Sequence, residues 1–261
     1  MRLQIASIPL FFILLWAGKV CPQPAGYGGV RLIRITYLTP NLDSLTRSFI
    51  KRGYRINQGK RDPGGIFNNS IIFPEGCEII LETTLSNDPN DWRLQSLKKY
   101  GSHVTGIAFE VEKIDSLYHL MKIHHVAVNT MSTITNYKID ETYYSALVFA
   151  LDSCSPLDVV FIAKDTSRHS PYSEFDSLAH HPNHVFRFDW ILLTASSEVE
   201  SRMRTVFEIT GGWKQHEGCC DFWRVGPSDD FCFFRFEPLS KKSKEKSNWL
   251  SIEPDGIYYA Y

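Results

Sequence analysis

Three times along this chain an alternating apolar strand runs into a polar residue and then into a stretch with apolar side chains at helical spacing. In the first, Leu32 to Thr39 leads into Asn41, and Leu42, Leu45 and Phe49 fall on one helical face before Gly53 ends the turn. In the second, Val104 to Val111 leads into a helix carrying Ile114, Leu117, Leu120 and Met121. In the third, Phe186 to Ala195 leads to Ser196 and Ser197, then Val199, Met203, Val206 and Phe207, with Gly211 and Gly212 at the end. Each is the strand–helix start of one module, and the repetition predicts an α+β fold.

Three strand candidates follow each start. After the first come Arg55 to Gly59, Asn69 to Phe73 and Cys77 to Thr83, separated by Pro63-Gly64-Gly65 and Pro74-Glu75-Gly76. Val126 to Asn129, Ala146 to Leu151 and Asp158 to Ala163 follow the second start, with a turn at Ser155-Pro156. The third is followed by Trp213 to His216, Asp221 to Val225 and Phe231 to Phe236, and the tail Trp249 to Tyr261 is a candidate edge strand. The order in each module is therefore β-α-β-β-β. Ser86 to Tyr100 and Lys164 to His184 read as polar linkers. The second holds His169, His180, His181 and His184, which lack helical spacing or a carboxylate register for a metal.

At 261 residues with 43% hydrophobic content, the chain can bury one sizeable core or two modest ones. Its 28 basic and 29 acidic side chains nearly cancel, which argues against a nucleic-acid or polyanion partner and for a small-molecule ligand. The basic run Lys241 to Lys246 reads as a solvated loop. Residues 1–25 differ from the rest: Arg2 gives a positive start, Ile5 to Trp16 is almost wholly apolar, and small or Pro residues follow to Ala25. A dozen apolar residues fall short of the roughly 20 that span a bilayer. The segment is expected to be a signal peptide and the protein exported, touching a membrane only through an uncleaved or lipidated N-terminus. Cleavage before Gly26 leaves Cys77, Cys154, Cys219, Cys220 and Cys232, with no CxxC and no zinc spacing. Buried thiols are expected, with a bridge from Cys219 or Cys220 to Cys232 as the alternative.

The phrase I33RITYLTPNLDSLTRSFIKRGY, followed by G59KRDPGGIFNN, E75GCEIILE and G106IAFEVEKIDSL, resembles the glyoxalase-like domain family of the vicinal oxygen chelate superfamily. H181PNHVFRFDWILLT extends the resemblance, since relatives carry His-Pro-Asn before their last module. The resemblance implies βαβββ modules whose curled mixed sheets form a cup for a ligand or metal. Residues 31–164 would hold two modules and the main cup, with a third, 185–261, packed beside it.

Metal-dependent members place a His on the first strand of a module and a Glu on the last. By that pattern the His positions hold Arg34, Gly106 and Trp190, none a good ligand for a divalent metal, and the Glu position best matches Ile80. Period-2 alternation turns Ile33, Ile35 and Tyr37 to the helix and Arg34, Thr36 and Leu38 to the cup, and groups Glu78, Ile80 and Glu82 on one face. Arg34 with Glu78 or Glu82 would replace a metal–ligand pair with an ion pair, either as a ligand contact or as a salt bridge filling the cavity. Relatives also carry an Arg-His-Pro-Gly stretch followed by Thr-His-Asn. Here Arg61 and Asn69 remain, while Asp62 and Asn68 stand where the imidazoles would be. Arg61 with Asn69 would fix a carboxylate or carbonyl oxygen, or else tether the loop and build its turn. His103 reads as a strand-end polar residue, and His124 and His125 as a solvated turn after the second helix.

The expectation is an exported protein binding a small oxygenated or anionic molecule in a metal-free cup through Arg34, Arg61, Asn69, Glu78 and Glu82, without a cofactor. The alternatives are a lyase, isomerase or hydrolase of vicinal oxygen chelate type, and a non-catalytic interaction domain. A homodimer would be compatible with any of these.

Overall fold

A computed structural model describes residues 29–61, 65–74, 76–139, 142–152, 157–163, 179–183, 190–195, 197–217, 220–226 and 232–238. The first module comprises β1 (Val30–Leu38), α1 (Leu42–Lys51), β2 (Asn57–Arg61), β3 (Ile66–Ile72) and β4 (Glu78–Thr84). The helix α2 (Trp92–Tyr100) intervenes before β5 (His103–Val111), α3 (Ile114–Ile123), β6 (Ser132–Ile139), β7 (Thr142–Ala150) and β8 (Asp158–Ala163). The third module is β9 (Trp190–Ala195), α4 (Ser197–Ile209), β10 (Trp213–Glu217), β11 (Cys220–Val225) and β12 (Cys232–Pro238).

All three modules are wound identically. Strand order runs β2-β3-β4-β1 in the first, β6-β7-β8-β5 in the second and β10-β11-β12-β9 in the third, and each first strand lies parallel to its module's last. That parallel pair needs a crossover, which the module's helix and hairpin strands supply. Antiparallel pairing of β1 with β5 fuses the first two modules into one eight-stranded sheet, whereas the third keeps a four-stranded sheet of its own.

The first helix begins where its sequence directs. Asn41 Oδ1 accepts from Ser44 N–H at 3.0 Å and caps α1, while Leu42 and Phe49 are its buried residues. In the second module Ile114, Leu117 and Met121 go inside. The core joins both sheets: Phe109 of β5 stacks on Phe161 at 5.7 Å and meets Phe207 of α4 at 6.5 Å and Phe234 of β12 at 6.2 Å. Cys77 and Cys232 are buried thiols, and the Cys77 Sγ–H donates to Leu32 O at 2.8 Å. Cys154 and Cys219 lie outside the described residues.

The His-Pro-Asn phrase proves to be a clip. Arg55 N–H donates to His181 Nδ1 at 2.9 Å, and Asn183 Nδ2–H donates to Arg52 O at 3.0 Å, fastening residues 181–183 to the end of α1. The buried His181 ring also meets Tyr54 at 5.5 Å and Phe73 at 5.4 Å, edge on. Gly53, at φ +86°, is required twice over: it closes the helix, and a Cβ there would stand 2.9 Å from Asn183 Cβ. Of the other histidines in that linker, His180 is exposed, and His169 and His184 lie outside the described residues.

Several boundaries differ from expectation. Val126 to Asn129 is no strand; Val128 makes a single bridge to Leu151, and β6 starts at Ser132. The strands expected at Arg55 to Gly59 and Asn69 to Phe73 run instead over Asn57–Arg61 and Ile66–Ile72. The segment Ser86 to Tyr100 is not simply a linker, because its second half is α2. The tail Trp249 to Tyr261 lies outside the described residues.

Candidate functional site

The site begins with an irregularity in β1. Its pairing with β5 shifts register between Leu32 and Arg34 and again between Thr36 and Tyr37. A bulge adds a residue to one strand and resets which face the following side chains take. Leu32 and Ile35, three apart, are consequently both buried, while Arg34 and Thr36 line the opposite, open face. The expectation holds for Arg34, Thr36 and Ile35. It also holds for Tyr37, which packs against the core, and it fails for Ile33, only half-buried, which the bulge leaves unpaired; Leu38, in phase with Arg34 and Thr36, is fully buried beyond this cavity.

On this face the central strands enclose a cavity of about 290 Å³, lined by Arg34, Thr36, Glu82, Arg93 and Asp158, with Ala108, Val160 and Ile162 as an apolar wall. Gly106 leaves room on β5: a Cβ there would stand 3.3 Å from Thr36 Oγ1. Trp92, 44% exposed, stands at the same cavity from α2.

Charges on this face come in matched pairs. Arg34 and Glu78 are register neighbours on parallel strands, and Arg34 Nε–H donates to Glu78 Oε1 at 2.5 Å. Glu82 is taken by a different cation, Arg93 of α2, whose Nε–H donates to Glu82 Oε1 at 2.7 Å. Arg31 and Glu110, paired across β1 and β5, meet at 3.1 Å. The pairs differ in exposure: the Arg34 side chain is 44% accessible and that of Arg93 25%, whereas Glu78 and Glu82 are each 14%. Asp158 begins β8 opposite Gly106. Desolvation raises its pKa above the ordinary carboxylate value, against the opposing pull of Arg93.

Arg93 is held by the start of its own helix. The Asp91 carboxylate accepts from Arg93 N–H at 2.9 Å and from Thr84 Oγ1–H at 3.0 Å, tying α2 to the end of β4. Desolvation pushes the Asp91 pKa up, but these hydrogen bonds, one from Ser86 and the Arg93 charge outweigh it, leaving it below the usual value. At the other end, His103 is fully buried, its Nδ1–H donating to Gly101 O at 2.8 Å and its Nε2 accepting from Ser96 Oγ–H at 2.7 Å. A carbonyl can only accept, so Nδ1 carries a proton, and burial, which disfavours the charged ring, makes it a neutral tie between α2 and β5.

One expected site residue does not join this face. Asn69 pairs in register with Leu81, on the buried side of the sheet, where its Nδ2–H donates to Thr46 Oγ1 of α1 at 2.9 Å. It therefore tethers the first helix instead of facing a ligand. Arg61 closes β2, and its side chain lies outside the described residues. Trp92, Arg93 and Asp158 were missed. The first two fell in an apparent linker, where Asp91 followed by Leu94 and Leu97 was the available helix signal.

The donor set does not suit a divalent metal. Arg34 brings a cation and Gly106 no side chain to the positions where imidazoles would be, and the Trp190 side chain lies outside the described residues. Among the described residues no three His, Cys, Asp or Glu side chains are grouped to hold a metal ion.

No family model matches the sequence, and no curated protein matches it. Solved structures do resemble the fold. A hypothetical protein from Staphylococcus aureus superposes with TM-score 0.58 at 13% identity, over 81% of this chain and 87% of its own. A xylose isomerase-like TIM barrel/4-hydroxyphenylpyruvate dioxygenase fusion protein superposes with TM-score 0.52 at 10% identity, over 87% of this chain. The match spans only 36% of that longer protein. At such identities the likeness defines architecture alone: this chain is an α+β protein of vicinal oxygen chelate fold.

Proposed function

We propose that the protein is exported and binds a small oxygenated or anionic molecule in this cup without a metal. The carrying observation is Arg34. Its guanidinium engages Glu78 through Nε while 44% of the side chain stays exposed at the cavity. A planar guanidinium offers five donors in a fork that matches a carboxylate or a pair of oxygens, so a bound ligand would take donors that Glu78 leaves. Arg93 and Asp158 would bracket the opposite side, and Val160 and Ile162 would receive an apolar portion.

Glu78 and Glu82 hold the two guanidiniums in place. In this reading they orient the donors and cancel excess charge, so the cup recognises its ligand by shape and hydrogen bonding as much as by net charge. Support for export comes from the apolar run Ile5 to Trp16 and the small residues after it.

Native mass spectrometry with elemental analysis of protein recovered outside the cytoplasm tests the whole reading. The expected chain starts between Ala17 and Gly26, carries a small organic molecule and lacks a stoichiometric transition metal. An intact Met1, or about one metal ion per chain, would contradict it.

A further inference from the structure

A cavity of about 400 Å³ opens where the second module meets the third, and it shares no lining residue with the cup. The turn after α3 contributes His124 and His125, α4 contributes Arg202 and Thr205, and Asp152 completes the polar lining, with Val126 and Leu151 as apolar wall.

The threefold repeat supplies an internal control for one of these residues. Each module's helix closes with the same pair of backbone hydrogen bonds: Gly53 N–H to Ile50 O and Tyr54 N–H to Phe49 O in the first, Gly211 N–H to Glu208 O and Gly212 N–H to Phe207 O in the third. The second uses His125 N–H to Lys122 O and Val126 N–H to Met121 O. In this closure one residue must take a positive φ, and glycine takes it without strain. Gly53 does so at +86° and Gly211 at +78°, but the second module puts His125 there at +56°, the one non-glycine with positive φ among the described residues. The module thus accepts a backbone conformation unfavourable to a side chain at the place where that side chain lines a cavity.

We propose that this cavity is a second binding site, for a small organic oxyanion, with Arg202, Thr205 and the two imidazoles as donors. The lining brings a guanidinium, a hydroxyl and two imidazoles together beside one carboxylate, a donor set that can hold an acidic ligand group. Val126 and Leu151 suit a short apolar body beside that group. A metal is the competing occupant for two His and an Asp, but those three residues are not grouped to hold one.

Amide chemical shifts of the full folded chain, followed during titration with phenyl phosphate, benzoate or neutral benzyl alcohol, provide the test. At least one of the two anions is expected to perturb His124 to Ala127 and Arg202 to Thr205, and the alcohol neither. The stronger of the two identifies the group as a phosphate ester or a carboxylate. Arg202→Gln should weaken binding by about tenfold or more, the loss expected for a hydrogen bond to a charged group. Thr205→Val is read for the same loss if Arg202→Gln does not fold. His125→Gly should weaken binding while raising the melting temperature, because it restores the residue that the other two modules use. Absence of shifts at these amides with both anions, or affinity unchanged in His125→Gly and in the α4 variant, would overturn the proposal.

Discussion

His103 shows how a side chain suited to chemistry can be spent on structure. Burial holds its pKa below the ordinary histidine value, with the Gly101 hydrogen bond opposing. The unfolded chain, at about 6.5, takes up a proton first as pH falls, so the stability of the neutral tie is present above that value. It is lost as pH drops below about 6.5 toward the folded pKa, at up to about 1.4 kcal/mol per pH unit. Melting followed from pH 7 to 5 should show a decline that shrinks in His103→Asn. His181, lowered mainly by its own burial, supplies a remainder of the same sign. Residue identity made Arg34 and Glu78 legible from the sequence, since alternation put both on one face. It misjudged Ile33 because nothing in the letters marks a bulge, and Asn69 because the wanting partner, Thr46, lies on a helix 23 positions away.

At the scale of elements, the strand–helix starts were the legible part, because each helix carries a continuous apolar stripe, and the first an Asn41 cap as well. Helix α2 was not. Of its residues only Ser96 is buried, so it is held by its Asp91 cap, by Arg93 on Glu82 and by Ser96 on His103, none of which has an apolar periodicity. Asp91→Ala should therefore lower stability by about 1 kcal/mol, the usual effect of losing an N-cap, and should release Arg93 from the cup. Denaturant midpoints compared with ligand retention on the same variant measure both. The depressed Asp91 pKa means that this cap's contribution is present above about pH 3.9 and is lost as pH falls through the lower folded value. The strand offsets in the first module and the displaced β6 share another cause: apolar runs mark where a strand is buried, whereas its ends are fixed by pairing with neighbours distant in sequence.

For the whole molecule, the repeat determines the architecture, and the copies differ in how their sheets join. Three modules of one winding would give equivalent sheets, yet only the first two fuse, through β1 and β5, and their fused face carries the charged cup. The third module completes the core through Phe207 and Phe234 against Phe109. That joint was not readable from the sequence, since it depends on how whole layers stack. Arg34 is proposed as a ligand donor that its ion pair with Glu78 positions. A pair with one side chain 44% exposed contributes at most about 1 kcal/mol to stability. Melting temperature and ligand retention measured together on Arg34→Met test this most directly. The bound molecule is expected to be lost while melting changes little; full retention of the molecule, with melting either unchanged or sharply lowered, would contradict a ligand role for Arg34.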